Sequence, residues 1–304
     1  MKRISLYILS IIAFSSCIDN VDVKELGIEP KMVLYCYLSP TFDTTQVFLS
    51  NSQNILSYES KVLGIIADAK VELSTNGKTW VKCSYDAKKE RYILSKNDFP
   101  IREGQTYYIR AKAPSYKETI RASCSVPYYR NIDLEIDTIE SFEFMISAIF
   151  KWKDYPGEDN YYSFTVYSRN KDFNGPNSDT QTYLLGYYLY DLQTESQVFS
   201  DEGKDGSVLS IESYLSNQQL DTMNADTVIF TFNQINKDLY LYEKALAKYY
   251  MQADMFGLVE PSLLYNNIEN GYGLFTAFTF KTFQYDFTNH HFSEYVFPLK
   301  HTLR

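Results

Sequence analysis

The chain has 304 residues and 35.4 kDa, enough for about two domains, and its 45% hydrophobic and 22% charged residues exclude a disordered or fibrous protein. With 29 basic residues against 38 acidic ones the net charge is −9, which argues against a surface that tracks nucleic-acid phosphates. Tyr (28), Phe (20) and Trp (2) outnumber Gly (12) and Pro (9) together, a usage that favours strands over helices.

The first seventeen residues read as an address. Lys2 and Arg3 form a positive start, Ile4 to Phe14 is largely apolar, and Ser15-Ser16 place small residues directly before Cys17. The apolar run is too short to span a bilayer core of about 30 Å as a helix. The pattern is a secretory signal (residues 1–16) cut at a cysteine, so Cys17 is the predicted lipidation site and first mature residue. Phe14 and Ser16 depart from the usual Leu and Gly or Ala of a lipobox, and both are tolerated departures. Residues 17–27 are polar and form a tether, with Asp19 and Asp22 as solvated charges.

Residues 28–127 carry short strands separated by turn signals. The predicted strands are Met32 to Leu38, Ala69 to Ser74, Trp80 to Tyr85, Arg91 to Leu94, Thr106 to Ala111 and Thr119 to Val126. Asn76-Gly77 predicts a tight hairpin between the second and third, because such turns need positive φ at both central residues. So many strands in about a hundred residues, without a helical period, predict an immunoglobulin-like sandwich.

Residues 128–304 predict a larger antiparallel β domain. Phe142 to Lys153 alternates as one strand, Asp154 to Asn160 is a turn, and Tyr161 to Tyr167 follows. Asn170 to Thr180 reads as a loop; Thr182 to Tyr190, Thr227 to Phe232, Phe275 to Tyr285 and Tyr295 to Leu299 read as strands. One helix is predicted near residues 236–252, capped by Asn236 or Asp238, with Leu239, Tyr242, Ala245, Leu246 and Tyr249 at helical spacing. Its expected role is to pack on a sheet face.

Chemistry-bearing constellations are sparse. The histidines are His290, His291 and His301, and surface positions are the expectation for them over a zinc site. With Cys17 lipidated, Cys36, Cys83 and Cys124 remain, so at most one bridge forms, Cys36–Cys83 or Cys83–Cys124; burial as small hydrophobes is the other reading. Asp201, Asp205, Gly206 and Glu212 occupy the first, fifth, sixth and twelfth places of a calcium loop. Gly203 stands where the third place needs an oxygen, and the flanks read as strands, so a plain acidic turn is the expectation. Motifs for phosphate-loop, dinucleotide, HExxH or GxSxG chemistry do not occur. Paired carboxylates for a glycosidase cannot be picked out by counting acids.

Several segments together resemble one family. They are the lipobox, Met32 to Leu38, Ala67 to Leu73, Gln105 to Ile109, Ser125 to Pro127, Trp152 to Tyr162, Asp201 to Gly206 and Asn266 to Phe275. Their order resembles the uncharacterised Bacteroidota lipoproteins catalogued as domain of unknown function 4249, over nearly the whole mature chain. The resemblance implies an outer-membrane lipoprotein, often encoded beside TonB-energised transporters, with no established activity and no catalytic residues to carry over.

The expectation is therefore mainly β: an immunoglobulin-like β-sandwich, then a larger antiparallel β domain with one packed helix. The expected function is non-catalytic: an accessory or ligand-binding lipoprotein of the outer membrane, without cofactor or nucleic-acid partner, associated with a TonB-dependent transporter. Alternatives are a cell-surface adhesion or scaffold module, and a carboxylate-dependent hydrolase.

Overall fold

The computed structural model describes residues 30–52, 64–131, 133–142, 145–172, 181–194, 196–216, 227–253, 263–286, 289 and 291–294. The protein is mainly β, with one helix. The predicted strand Tyr295 to Leu299 lies outside the described residues, as do the signal and the tether.

The first unit contains β1 (Met32–Leu38), β2 (Thr44–Asn51), β3 (Lys70–Ser74), β4 (Val81–Lys82), β5 (Ser84–Asp86), β6 (Arg91–Ser95), β7 (Thr106–Lys112) and β8 (Ile120–Ser125). They form two sheets, β1-β2-β6-β5 and β4-β3-β7-β8. That is the strand order of an immunoglobulin sandwich, A-B-E-D against C-F-G with an extra strand beside C. Strict alternation along β1 and β8 buries Leu34, Cys36, Ile120, Ala122 and Cys124 between the sheets. Tyr107, fully buried on β7, donates its hydroxyl to the Pro100 carbonyl (3.1 Å) and accepts the Arg102 N–H (2.7 Å), the tyrosine corner of such sandwiches.

Two sequence expectations are corrected here. The segment Trp80 to Tyr85 is not one strand: β4 pairs with β3 and β5 with β6, and the chain crosses between sheets at buried Cys83. Nor is Asn76-Gly77 a two-residue hairpin turn. Only Gly77 has positive φ (69°), because Asn76 instead holds a longer loop through its side chain, accepting the N–H groups of Lys78 and Thr79 (both 2.8 Å).

The second unit contains β9 (Leu134–Phe142), β10 (Met145–Lys153), β11 (Tyr161–Asp172), β12 (Gln181–Tyr188), β13 (Val198–Ser200), β14 (Val208–Ser216), β15 (Thr227–Ile235), α1 (Lys237–Ala253), β16 (Tyr272–Asp286) and β17 (His291–Glu294). The alternating run from Phe142 divides between two strands, since β9 turns back on β10 with Phe142 opposite Met145. A three-stranded sheet, β14-β10-β9, covers β11, β15 and β16 with an aromatic core in which Trp152, Tyr162, Phe164, Phe230 and Phe232 are buried. Trp152 meets Tyr162, Phe164 and Phe232 edge-on, with ring centroids 5.3 to 5.7 Å apart.

β16 joins the two units. Its first six residues pair in parallel with β1, from Val33 opposite Tyr272 to Leu38 opposite Ala277, and its remaining nine pair antiparallel with β15. Phe275 and Ala277 enter the first core while Phe283 and Tyr285 line the second. The result is one continuous ten-stranded sheet. Gly273 makes the junction with β1 feasible: its φ is +117°, and a Cβ there would lie 1.9 Å from the Leu34 carbonyl oxygen.

The helix covers the opposite face of this sheet at the seam. Asn236 is its cap, accepting the Leu239 N–H at 3.0 Å and the Thr276 hydroxyl. Leu239 and Tyr242 pack on Tyr35, Ile235, Leu274 and Phe278, so the expected sheet-packing role is the observed one. Among the described residues no helix is long and apolar enough to cross a membrane.

Candidate functional site

The start of β11 lies level with the end of β1, because Tyr161 faces Ile235, Ile235 faces Phe278, and Phe278 follows the Leu38–Ala277 pair. The loop between β10 and β11 (residues 154–160) and the loop between β13 and β14 (residues 201–207) therefore meet at the waist between the units. They are stitched by backbone bonds from Asp154 N–H to the Ser207 carbonyl (2.9 Å) and from Asp201 N–H to the Asn160 carbonyl (3.3 Å).

Three carboxylates converge there. Asp154, Asp201 and Asp205 each bring one oxygen to within 4.8 Å of the others; the first two are buried and the third is exposed. Asp154 accepts the Tyr162 hydroxyl (2.5 Å) and the Gly206 N–H (2.8 Å). Asp205 accepts the Gly157 N–H from the opposite loop (2.8 Å), and Asp201 accepts the Asn160 N–H (3.1 Å). Burial raises the Asp201 carboxyl above its ordinary range, against the pull of the Asn160 N–H, and the neighbouring Asp154 adds to the rise. Burial and the Asp154 contact likewise push the Tyr162 hydroxyl well up, so it stays protonated as a donor. Gathered hard oxygens are the donor type that calcium or magnesium takes.

The sequence pattern located this cluster only in part. Asp201 and Asp205 come together, but Glu212 lies on β14 opposite Ile149, and its N–H is accepted by Asp191 at 3.1 Å. Its place is taken by Asp154, some fifty residues earlier, which no spacing rule links to Asp201. The signal available was that Trp152-Lys-Asp154 ends an alternating strand at a buried position.

Arg130 anchors the linker beside these loops. Its guanidinium forks onto Glu158 (2.8 and 2.9 Å) and stacks over Tyr155 (4.2 Å) and Tyr128 (4.8 Å). Its backbone is gripped in both directions by the Gln234 amide (2.7 and 2.8 Å). One short segment thus fastens the first sandwich to the second.

Cys36, Cys83 and Cys124 are buried free thiols in the first core, so neither proposed bridge forms. Burial pushes Cys83 up to about 12 and holds Cys36 and Cys124 well above the ordinary thiol range, which suits packing and not nucleophilic attack. His291 is exposed on β17; Cys17, His290 and His301 lie outside the described residues.

The family model described as Domain of unknown function (DUF4249) matches residues 18–284. The chain belongs to this family. The match runs from the residue after Cys17 into β16, across both units of the DUF4249 fold. A search of curated proteins found no match.

Within this DUF4249 protein the segment from Asn266 to Phe275 is a lock. The Asn267 side chain takes both the N–H (2.9 Å) and the carbonyl (2.8 Å) of Phe275, and Asn266 accepts the Ile268 N–H (3.1 Å). Asn270 adopts φ 59°, as an asparagine tolerates, and Glu269 exchanges backbone bonds with Arg121 on β8. This arrangement matches the turn expected there and seats β16 against the first sandwich.

Proposed function

We propose that this protein is an outer-membrane lipoprotein, anchored through Cys17, that acts without catalysis as an accessory or ligand-binding component of TonB-dependent nutrient uptake. The observation that carries the proposal is the apolar run ending in Ser15-Ser16 directly before Cys17. A single acyl chain binds a bilayer only reversibly, whereas the several chains of a lipidated N-terminal cysteine give lasting attachment. Residues 18 to 30 reach at most about 45 Å when fully extended, so the body stays near the bilayer.

The transporter as partner rests on the resemblance of the sequence segments. Co-purification from detergent-solubilised outer membranes tests it: a TonB-dependent transporter is expected to elute with the tagged protein. Its absence, together with undiminished nutrient uptake in a deletion strain, would overturn the uptake role in favour of adhesion or scaffolding. Glycan or peptide cleavage abolished by replacing Asp154 or Asp201 would favour the hydrolase.

A further inference from the structure

Charge is divided unevenly between the two units. Residues 28–127 carry 14 basic and 10 acidic residues, a net +4, whereas residues 128–304 carry 12 basic and 25 acidic ones, a net −13. Such an asymmetry gives the molecule a positive and a negative end, which a charged surface orients. The positive unit is the one that follows Cys17 in the chain.

Five cations of this unit gather on the outward face of the sheet β4-β3-β7-β8. Val71 and Leu73 on β3, Ile109 and Ala111 on β7, and Ile120 and Ala122 on β8 enter the first core, so the residues alternating with them point outward. Strand pairing sets Lys82, Glu72, Arg110 and Arg121 in one row across the four strands, with Lys70 opposite Lys112 beside it. Lys70, Lys82, Lys112 and Arg121 are exposed. Glu72, the acid within the row, is buried beneath its neighbours and accepts from Lys70 Nζ and Arg110 Nε, both at 2.8 Å. Arg110 in turn stacks over Trp80 at 4.1 Å. Glu269, opposite Arg121, is the other carboxylate beside these cations among the described residues.

We propose that this face docks on the anionic headgroup surface of the bilayer that holds Cys17, an inference that rests on the anchoring proposed above. Charge complementarity carries it: five cations stand against two carboxylates, one of them covered, while the second unit has the sign that the same surface repels. Each Lys or Arg brought to an anionic bilayer strengthens binding by about fivefold. The attraction fades within a screening length, about 8 Å at physiological salt, so cations sharing one flat sheet face gain from it together. The acyl chains hold the protein, and the basic face sets how it lies, with the first sandwich on the lipid and the acidic unit toward solvent.

Vesicle co-sedimentation of the mature chain carrying Cys17→Ala tests the face apart from the anchor, because no acyl chain is present. At low salt the protein is expected to sediment with vesicles of mixed phosphatidylglycerol and phosphatidylcholine, not with phosphatidylcholine alone, and to be released as salt rises. Lys82→Glu combined with Arg121→Glu is expected to weaken this binding by about twentyfold or more. The same charge change at Lys88 and Lys89, exposed in the turn between β5 and β6 of the other sheet, should weaken it by no more than about threefold. Thermal melts matching the parent identify variants that still fold. Absent binding to the anionic vesicles would overturn the proposal, and so would equal losses in the two double variants. Self-association at low salt that Lys82→Glu with Arg121→Glu abolishes, without vesicle binding, would instead give the face to the acidic unit of a second copy. None of these results bears on lipidation of Cys17, so the docking and the anchor stand or fall separately.

Discussion

Asp154 illustrates how a buried carboxylate is held in this protein. It has two donors from different parts of the chain, the Tyr162 hydroxyl on β11 and the Gly206 N–H of the second loop. Asp154→Ala strands both and should destabilise the fold by about 1–3 kcal/mol in urea melts, while Ala at exposed Asp159 should change little. Asp201 behaves differently because its carboxyl is raised in the fold from an ordinary value of 3.8. The folded state then holds the proton more tightly than the unfolded chain, so this group favours folding most at low pH and loses that contribution as pH rises through the raised value. Asp201→Asn keeps an acceptor for the Asn160 N–H and has no charge to bury. Its stability relative to the parent should therefore climb between pH 3 and pH 7; a flat or falling difference would contradict the burial of a charged Asp201.

At the scale of elements, α1 depends on its cap and on the seam below it. Asn236→Ala removes the acceptor for Leu239 N–H and Thr276, and a loss of about 1–2 kcal/mol in chemical denaturation is expected. Strands were legible wherever one face is buried: β1 matches its predicted limits, and β8 alternates as read, because side-chain period and burial coincide there. The helix was legible for the same reason, with Asn236 chosen as cap over Asp238. Sheet membership was not legible. Nothing local in Trp80 to Tyr85 announces a change of sheet at Cys83, and nothing in Tyr272 to Asp286 separates a first part pairing with β1 from a second pairing with β15. Both are decided by contacts between residues distant in the chain. The carboxylate cluster failed for that reason too, since Asp154 reaches Asp201 only once β10 and the loop before β14 are side by side.

At the scale of the molecule, two sandwiches share one sheet, and the linker adds the Arg130–Glu158 fork and the Gln234 grip. Because β16 belongs to both cores, neither unit can unfold while the other keeps all its strands. Calorimetry should show one transition with equal calorimetric and van't Hoff enthalpies, whereas two separated transitions would contradict the coupling through β16. The accessory role proposed above depends on the anchor at Cys17 rather than on the shared sheet. The decisive measurement is intact mass spectrometry of the protein recovered from cell membranes. The expected product begins at Cys17 and carries the added mass of acyl chains, and Cys17→Ala releases it from the membrane fraction. A mature chain starting elsewhere, or one with an unmodified Cys17 in the soluble fraction, would contradict the account.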